Sequence, residues 1–150
     1  MSAKTVQIAR ATAEDLPGIH QLVRELAIYE KAESEFVAGL EEYQRDFADG
    51  AFEAIVAKNE DGVVGMVLYY LTYSTWKGKM LYLEDFVVLQ AYRRDGLGQA
   101  LFDAFLDRAR AMECRLVKWK VLDWNEPALK FYLKNNAIIE KEWWNGKIFL

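Results

Sequence analysis

Between Met80 and Met112 an apolar strand pattern passes through a glycine-bearing bend directly into a long amphipathic helix pattern, which restricts the folds open to this chain. Met80 to Leu89 is apolar apart from the adjacent acids Glu84 and Asp85. Gln90 to Asp95 then leads into Gly96-Leu97-Gly98, and Leu97, Leu101, Ala104, Phe105, Arg108 and Met112 recur at helical spacing. A strand feeding a helix in this way belongs to a sheet with helices packed on it, not to a helical bundle or a β-sandwich.

The flanking patterns extend that sheet on both sides. Val6 to Arg10 alternates as a first strand, and Thr12-Ala13-Glu14-Asp15 resembles a capping box ahead of Pro17. Leu16, Ile19, Leu22, Val23 and Leu26 predict an amphipathic helix to about Lys31. Leu40, Tyr43 and Phe47 predict a second, closed at Gly50. Phe52 to Lys58 and Val63 to Tyr73 read as strands joined by the turn Asn59-Glu60-Asp61-Gly62, with Gly78 marking the next turn. Leu116 to Leu122 is a further strand, and Asn125 caps a short helix, Pro127 in its first turn, running to about Asn135. Ile138 to Leu150 reads as two short strands around Asn145-Gly146. The expected order is β-α-α-β-β-β-α-β-α-β-β, a mixed α/β (α+β) fold in one domain spanning 1–150.

Composition narrows the functional classes. A net charge of −4 opposes a nucleic-acid module held by phosphate contacts and suits cationic partners. One cysteine, Cys114, excludes an internal disulfide framework and fits a reducing compartment. His20 is the single histidine, which leaves little for a His/Cys metal site. Met1-Ser2-Ala3-Lys4 shows no apolar leader, and Val63 to Tyr73 is too short to span a bilayer, so a cytoplasmic protein with no metal, no nucleic-acid partner and no membrane is expected. Ser2, Ser34 and Ser74 sit in no nucleophile elbow, so serine-hydrolase chemistry is rejected.

Arg93-Arg94-Asp95-Gly96-Leu97-Gly98 lies where backbone N–H groups at a helix start favour phosphate. A P-loop fails because Gln99 and Ala100 stand where Lys and Ser/Thr are needed. A dinucleotide fingerprint fails because Leu101 replaces its third glycine. A ligand-free tight turn stays open as an alternative. Glu84 and Asp85 are costly inside an apolar strand unless they line a cleft or an edge, which makes them a clue to an amine pocket; a solvent-exposed strand end is the alternative. Strict alternation places the two on opposite faces.

Arg93-x-x-Gly96-x-Gly98 after Tyr82-Leu83-Glu84-Asp85-Phe86-Val87-Val88 resembles the acetyl-CoA-binding motif of the GNAT N-acetyltransferases. The likeness continues through Val121-Leu122-Asp123-Trp124-Asn125-Glu126-Pro127 and Phe131-Tyr132. With Tyr69-Tyr70 and Tyr73-Ser74-Thr75-Trp76-Lys77-Gly78 it resembles the diamine (spermidine/spermine) and thialysine branch, Ser74 favouring the thialysine side. The resemblance implies a mostly antiparallel sheet splayed in the middle, flanked by about four helices, with acetyl-CoA as co-substrate, a small primary amine as acceptor, and a homodimer. It implies cofactor contacts from Phe86, Val87, Val88, Arg93, Arg94, Asp95, Gly96, Leu97, Gly98, Gln99, Asn125, Glu126, Pro127 and Ala128. Glu84 becomes a base acting through water and a substrate contact, and Tyr132 the acid for the departing sulfur. Tyr29, Glu30, Trp76, Asp85 and Glu142 become substrate contacts. Read without the resemblance, Tyr132 is a core aromatic beside Phe131, and Tyr29-Glu30 a solvated helix end.

The chemistry these parts must perform is demanding. A primary amine with a pKa of ~10.4 is deprotonated in roughly one molecule per 10³ at pH 7, a deficit of about 4–5 kcal/mol that a base must relieve. The expected reaction is acetyl transfer to thialysine or a short diamine by direct attack. A polyamine acceptor, or an acyl-CoA-binding module without turnover, is the alternative.

Overall fold

Thr12 to Asp15 shows how local chemistry starts the first helix. The Asp15 carboxylate accepts the Thr12 N–H at 2.9 Å and also the Lys58 ammonium at 2.9 Å, which satisfies an acid that is otherwise buried. In the computed structural model, which describes residues 5–150, the elements run β1 (Gln7–Arg10), α1 (Leu16–Tyr29), α2 (Leu40–Ala48), β2 (Glu53–Asn59), β3 (Gly62–Ser74), β4 (Gly78–Val88), α3 (Leu97–Ala111), β5 (Leu116–Lys118) and α4 (Glu126–Lys134). Each agrees with a sequence pattern, and Pro17 falls in the first turn of α1 where a missing N–H costs nothing. The leader reading concerns Met1-Ser2-Ala3-Lys4, which lie outside the described residues.

The chain divides into two compact units, Met1–Trp119 and Lys120–Leu150. The first holds a five-stranded sheet in the order β1-β2-β3-β4-β5, antiparallel except for the parallel β4–β5 pair. Leu16, Ile19 and Leu22 of α1 pack on Ala54, Val56, Met66, Leu68 and Val87, with Leu40, Tyr43 and Phe47 of α2 closing the edge. Each fully buried aliphatic of this kind contributes about 1.5–3 kcal/mol. The opposite face is covered by α3 through rings: Phe105 lies 5.5 Å from Tyr69, Phe102 lies 5.9 Å from Phe86, and Trp119 meets Phe102 edge-on at 5.7 Å.

The mixed sheet is as expected, but its far end is not. β5 spans Leu116–Lys118 only, and its ladder with β4 stops at Tyr82↔Lys118. The β4–β5 ladder therefore covers only Met80 to Tyr82, the first part of β4. The two strands expected in Ile138 to Leu150 do not form: that stretch carries no strand, and Trp143, Trp144, Ile148 and Phe149 are exposed. Asn145-Gly146 favours a turn, but a two-stranded hairpin without a third strand or a packed face is marginal. In the second unit α4 is capped as expected, Asn125 Oδ1 accepting the Ala128 N–H at 3.3 Å. Among the described residues no helix is long and apolar enough to cross a membrane.

Candidate active site

The geometry of the acids follows from one irregularity in the β3–β4 ladder. Counting back from the Ser74↔Gly78 turn, Tyr70 pairs with Tyr82 and Tyr69 with Leu83. The next rung joins Leu68 to Asp85, so Glu84 is an extra residue in a β-bulge. Strict alternation therefore fails at this point, and the expectation that Glu84 and Asp85 face opposite sides is corrected. Asp85 shares the rung of Leu68, a member of the α1-side core, while Glu84 accepts a 2.9 Å hydrogen bond from the Tyr70 hydroxyl, which lies two residues along β3 on that same face.

Both carboxylates thus gather on the side of α1 and α2, inside a ring of phenols. Asp85 is half-buried, and its carboxyl is pushed up to about 7, by burial first and then by the charges of Glu84 and Glu30. Glu30, the residue that follows α1 and caps it, is itself raised by burial. The Tyr43 phenol of α2 is pushed up to about 12 by burial and then by Asp85 and Glu84. Burial and the charge of Glu84 raise Tyr82, whose ring stacks on Tyr70 at 5.4 Å. Three acids framed by phenols concentrate negative charge on this side of the sheet, and a cation placed beside them would relieve the repulsion that raises Asp85. Among the described residues no group of three or more His, Cys, Asp or Glu is placed to hold a metal ion.

The same strand leads into the glycine bend. After β4, a single 3-10 turn at Gln90–Tyr92 is followed by Arg94 at φ +77° and Gly96 at φ +79°. No side chain caps α3, and its first internal bond runs from the Ala100 N–H to the Gly96 carbonyl at 3.0 Å. The Leu97 and Gly98 amides, ahead of that bond, therefore have no acceptor within the helix, and they lie at its positive dipole end. Arg93 Nε donates to the Val88 carbonyl at 2.8 Å, folding that guanidinium back on the strand end. Tyr92 anchors the approach: its hydroxyl accepts from Asn59 Nδ2 at 2.8 Å and donates to Asp61 at 3.2 Å. A helix start with unpaired amides is the kind of place where an anion is stabilised, and Phe86 to Val88 of β4 runs into it.

The structure thus brings together Glu30, Glu84 and Asp85, with the Phe86 to Gln99 segment continuing from them. Tyr29 is the last residue of α1, next to Glu30 in the chain. Trp76 is not at this cluster; it occupies the β3–β4 turn, 83% exposed, roughly 20 Å of strand beyond Tyr70. In the second unit Asn125, Glu126, Pro127 and Ala128 form the start of α4, and Tyr132 is 6% exposed with its ring edge-on to Phe131 at 5.6 Å. Glu142 lies exposed in the tail. Tyr43, Tyr70 and Tyr82 lie beside these acids and were not among the candidates read from the sequence. The Tyr70–Tyr82 pairing follows from counting back from the Gly78 turn, whereas nothing local marks Tyr43.

The acetyltransferase (GNAT) family model matches residues 16–137, most of the chain and parts of both units. The chain belongs to the GNAT family. It is an N-acetyltransferase by that membership and by its relatives. A thialysine N-epsilon-acetyltransferase of Bos taurus is 36% identical over 152 residues, covering 93% of this chain and 89% of that protein. A spermidine/spermine N(1)-acetyltransferase-like protein of Homo sapiens is 33% identical over 141 residues, covering 88% of this chain but only 20% of that longer protein. Among solved structures, an aminoglycoside acetyltransferase from an uncultured soil metagenomic sample shares the fold, with a TM-score of 0.80 at 22% identity over 97% of this chain and 96% of that one.

Proposed function

We propose that this GNAT protein transfers the acetyl group of acetyl-CoA to the primary amine of a small cationic acceptor, thialysine-like or a short diamine, with the whole chain acting as one domain in a homodimer. The observation that carries the reading is the bulge that sets Glu84 and Asp85 on one face beside Glu30, in a strand that leads into an uncapped helix start. The full-length likeness to thialysine acetyltransferases supports the same acceptor class.

When bound, acetyl-CoA supplies the acetyl group as a thioester. Its pyrophosphate is assigned to the Arg93, Arg94, Asp95, Gly96, Leu97, Gly98 and Gln99 bend, and its pantetheine arm to Phe86, Val87 and Val88 at the end of β4. Asn125, Glu126, Pro127 and Ala128, at the start of α4, are assigned to the same co-substrate. Glu30 and Asp85 hold the ammonium group by charge, and Tyr29, next to Glu30, contacts it with its phenol ring. Glu84 accepts the amine proton through a water, which releases the nitrogen lone pair for attack on the acetyl carbonyl. The C–S bond then breaks, Tyr132 gives its phenol proton to the departing thiolate, and the acetylated nitrogen sheds its surplus proton to restore the phenol and leave a neutral amide.

Free-thiol release, measured with acetyl-CoA and a panel of thialysine, lysine, putrescine, spermidine and spermine, tests this. Release dependent on thialysine or a short diamine is expected. Coenzyme A binding with no amine-dependent release identifies a binding module and defeats the reading. Replacing Tyr132 by Phe is expected to cut turnover at least tenfold while leaving coenzyme A affinity within about twofold. Unchanged turnover across the pH range removes the acid role.

A further inference from the structure

Glu84 occupies an awkward position for a group that must work at one place. As the extra residue of the bulge it has no rung partner, its side chain is exposed, and no salt bridge holds it among the described residues. A glutamate in that position is free to adopt several rotamers unless something outside its own strand restrains it.

Tyr70 provides the restraint. Its hydroxyl donates to Glu84 Oε1 at 2.9 Å, and its ring is immobilised by stacking on Tyr82 at 5.4 Å with an interplanar angle of 25°. The other groups around Glu84 are Asp85, which follows it on β4, Glu30 at the end of α1, and the Tyr82 and Tyr43 phenols of β4 and α2, but among the described residues Tyr70 is the one that hydrogen-bonds it. Burial and the bond to Glu84 raise the Tyr70 phenol, so it stays a donor at every working pH.

We propose that Tyr70 is a positioning residue of the acetylation site, its phenol fixing the Glu84 carboxylate on the bulge and favouring the charged form. The proposal rests on the reading that Glu84 is the working carboxylate. A hydrogen bond to a carboxylate stabilises the anion, so its loss makes Glu84 easier to protonate.

The test is a carbon-13 titration of the full chain labelled at glutamate carboxyl carbons, with the Glu84 signal assigned by its absence in Glu84→Gln. Tyr70→Phe keeps the ring and the stack, and is expected to move the Glu84 midpoint upward by about 0.5–1 pH unit. The acidic limb of kcat/KM for thialysine is expected to move with it. Tyr82→Phe, which keeps the stack and removes no bond to Glu84, is expected to leave the midpoint within about 0.2 unit. An unmoved midpoint in a Tyr70→Phe chain with a wild-type melting curve overturns the proposal. If Glu84→Gln retains full amine-dependent thiol release, the catalytic reading of Glu84 falls instead, even where Tyr70→Phe has shifted the titration.

Discussion

Asp85 shares a rung with Leu68 while its neighbour Glu84 shares none, so two carboxylates adjacent in sequence stand on one face of the sheet and the charge of Glu84 adds to the cost of ionising Asp85. Asp85, the more enclosed of the two, bears that cost, with its carboxyl pushed up to about 7.

Stability should record this directly. Because the folded-state value lies above the unfolded value of 3.8, native Asp85 binds its proton more tightly than the unfolded chain does. Its contribution is complete below about pH 4 and is lost as the pH rises through about 7. Asp85→Asn should flatten the stability profile between pH 4 and 7. The difference from wild type should change by about 1–2 kcal/mol across that window, a value discounted for the side chain's partial exposure. Urea unfolding at half-unit pH steps measures it, and parallel profiles for the two proteins refute it.

Amine binding should show the same titration with the opposite benefit. The acceptor stays protonated below its own pKa of ~10.4, so its attraction to the pocket grows as Asp85 ionises. KM for thialysine is expected to fall as the pH rises from 6 to 8, and Asp85→Asn should abolish that dependence. Glu30→Gln should raise the amine KM about tenfold, the equivalent of about 1.4 kcal/mol, with the acetyl-CoA KM unchanged.

The two glycines of the bend separate backbone strain from ligand clearance. Gly96 has φ +79° with open space where a Cβ would go, so Gly96→Ala should cost about 1–2 kcal/mol of stability through conformation alone. A Cβ on Gly98 meets Phe86 at 3.8 Å and Val88 at 3.9 Å, ordinary contacts, so Gly98→Ala should leave the melting temperature almost unchanged. A rise of at least fivefold in the acetyl-CoA KM of Gly98→Ala then reports contact with the co-substrate. No rise places the pyrophosphate elsewhere.

On the α3 face, Glu53 joins four elements. It accepts Arg108 Nε at 3.2 Å and Nη2 at 3.1 Å, the Tyr69 hydroxyl at 3.2 Å, and an ion pair from Arg10 at 3.7 Å. Glu53→Ala leaves a buried phenol and a half-buried guanidinium without their shared acceptor, and should destabilise the protein by about 2–3 kcal/mol. Denaturant unfolding measures the loss. A cost under 0.5 kcal/mol indicates that water replaces the carboxylate.

Local patterns already located most of this molecule. The Asn59 to Gly62 turn, the capping box at Thr12 and Asp15, the Asn125 cap and the Gly96 bend are each decided within a few residues by hydrogen bonding or by φ, and each formed where it was read. The candidate site was legible to the same degree: Glu84, Asp85 and the bend were visible as polar or glycine residues where apolar ones were due. Their arrangement was not. Strand alternation is a rule for regular ladders, and a bulge shows only in the pairing with a second strand, so the shared face of Glu84 and Asp85 could not be read from β4 alone. The tail failed for a related reason, because Asn145-Gly146 specifies a turn but not the surface on which two strands become stable. Sequence by itself determined the helices, strands and turns up to Lys134 and the places where acids and glycines interrupt the apolar pattern, since those depend on neighbours along the chain. Tertiary structure alone decided which carboxylates meet, which phenol hydrogen-bonds Glu84 and where the sheet ends, since those depend on residues brought together across strands and helices.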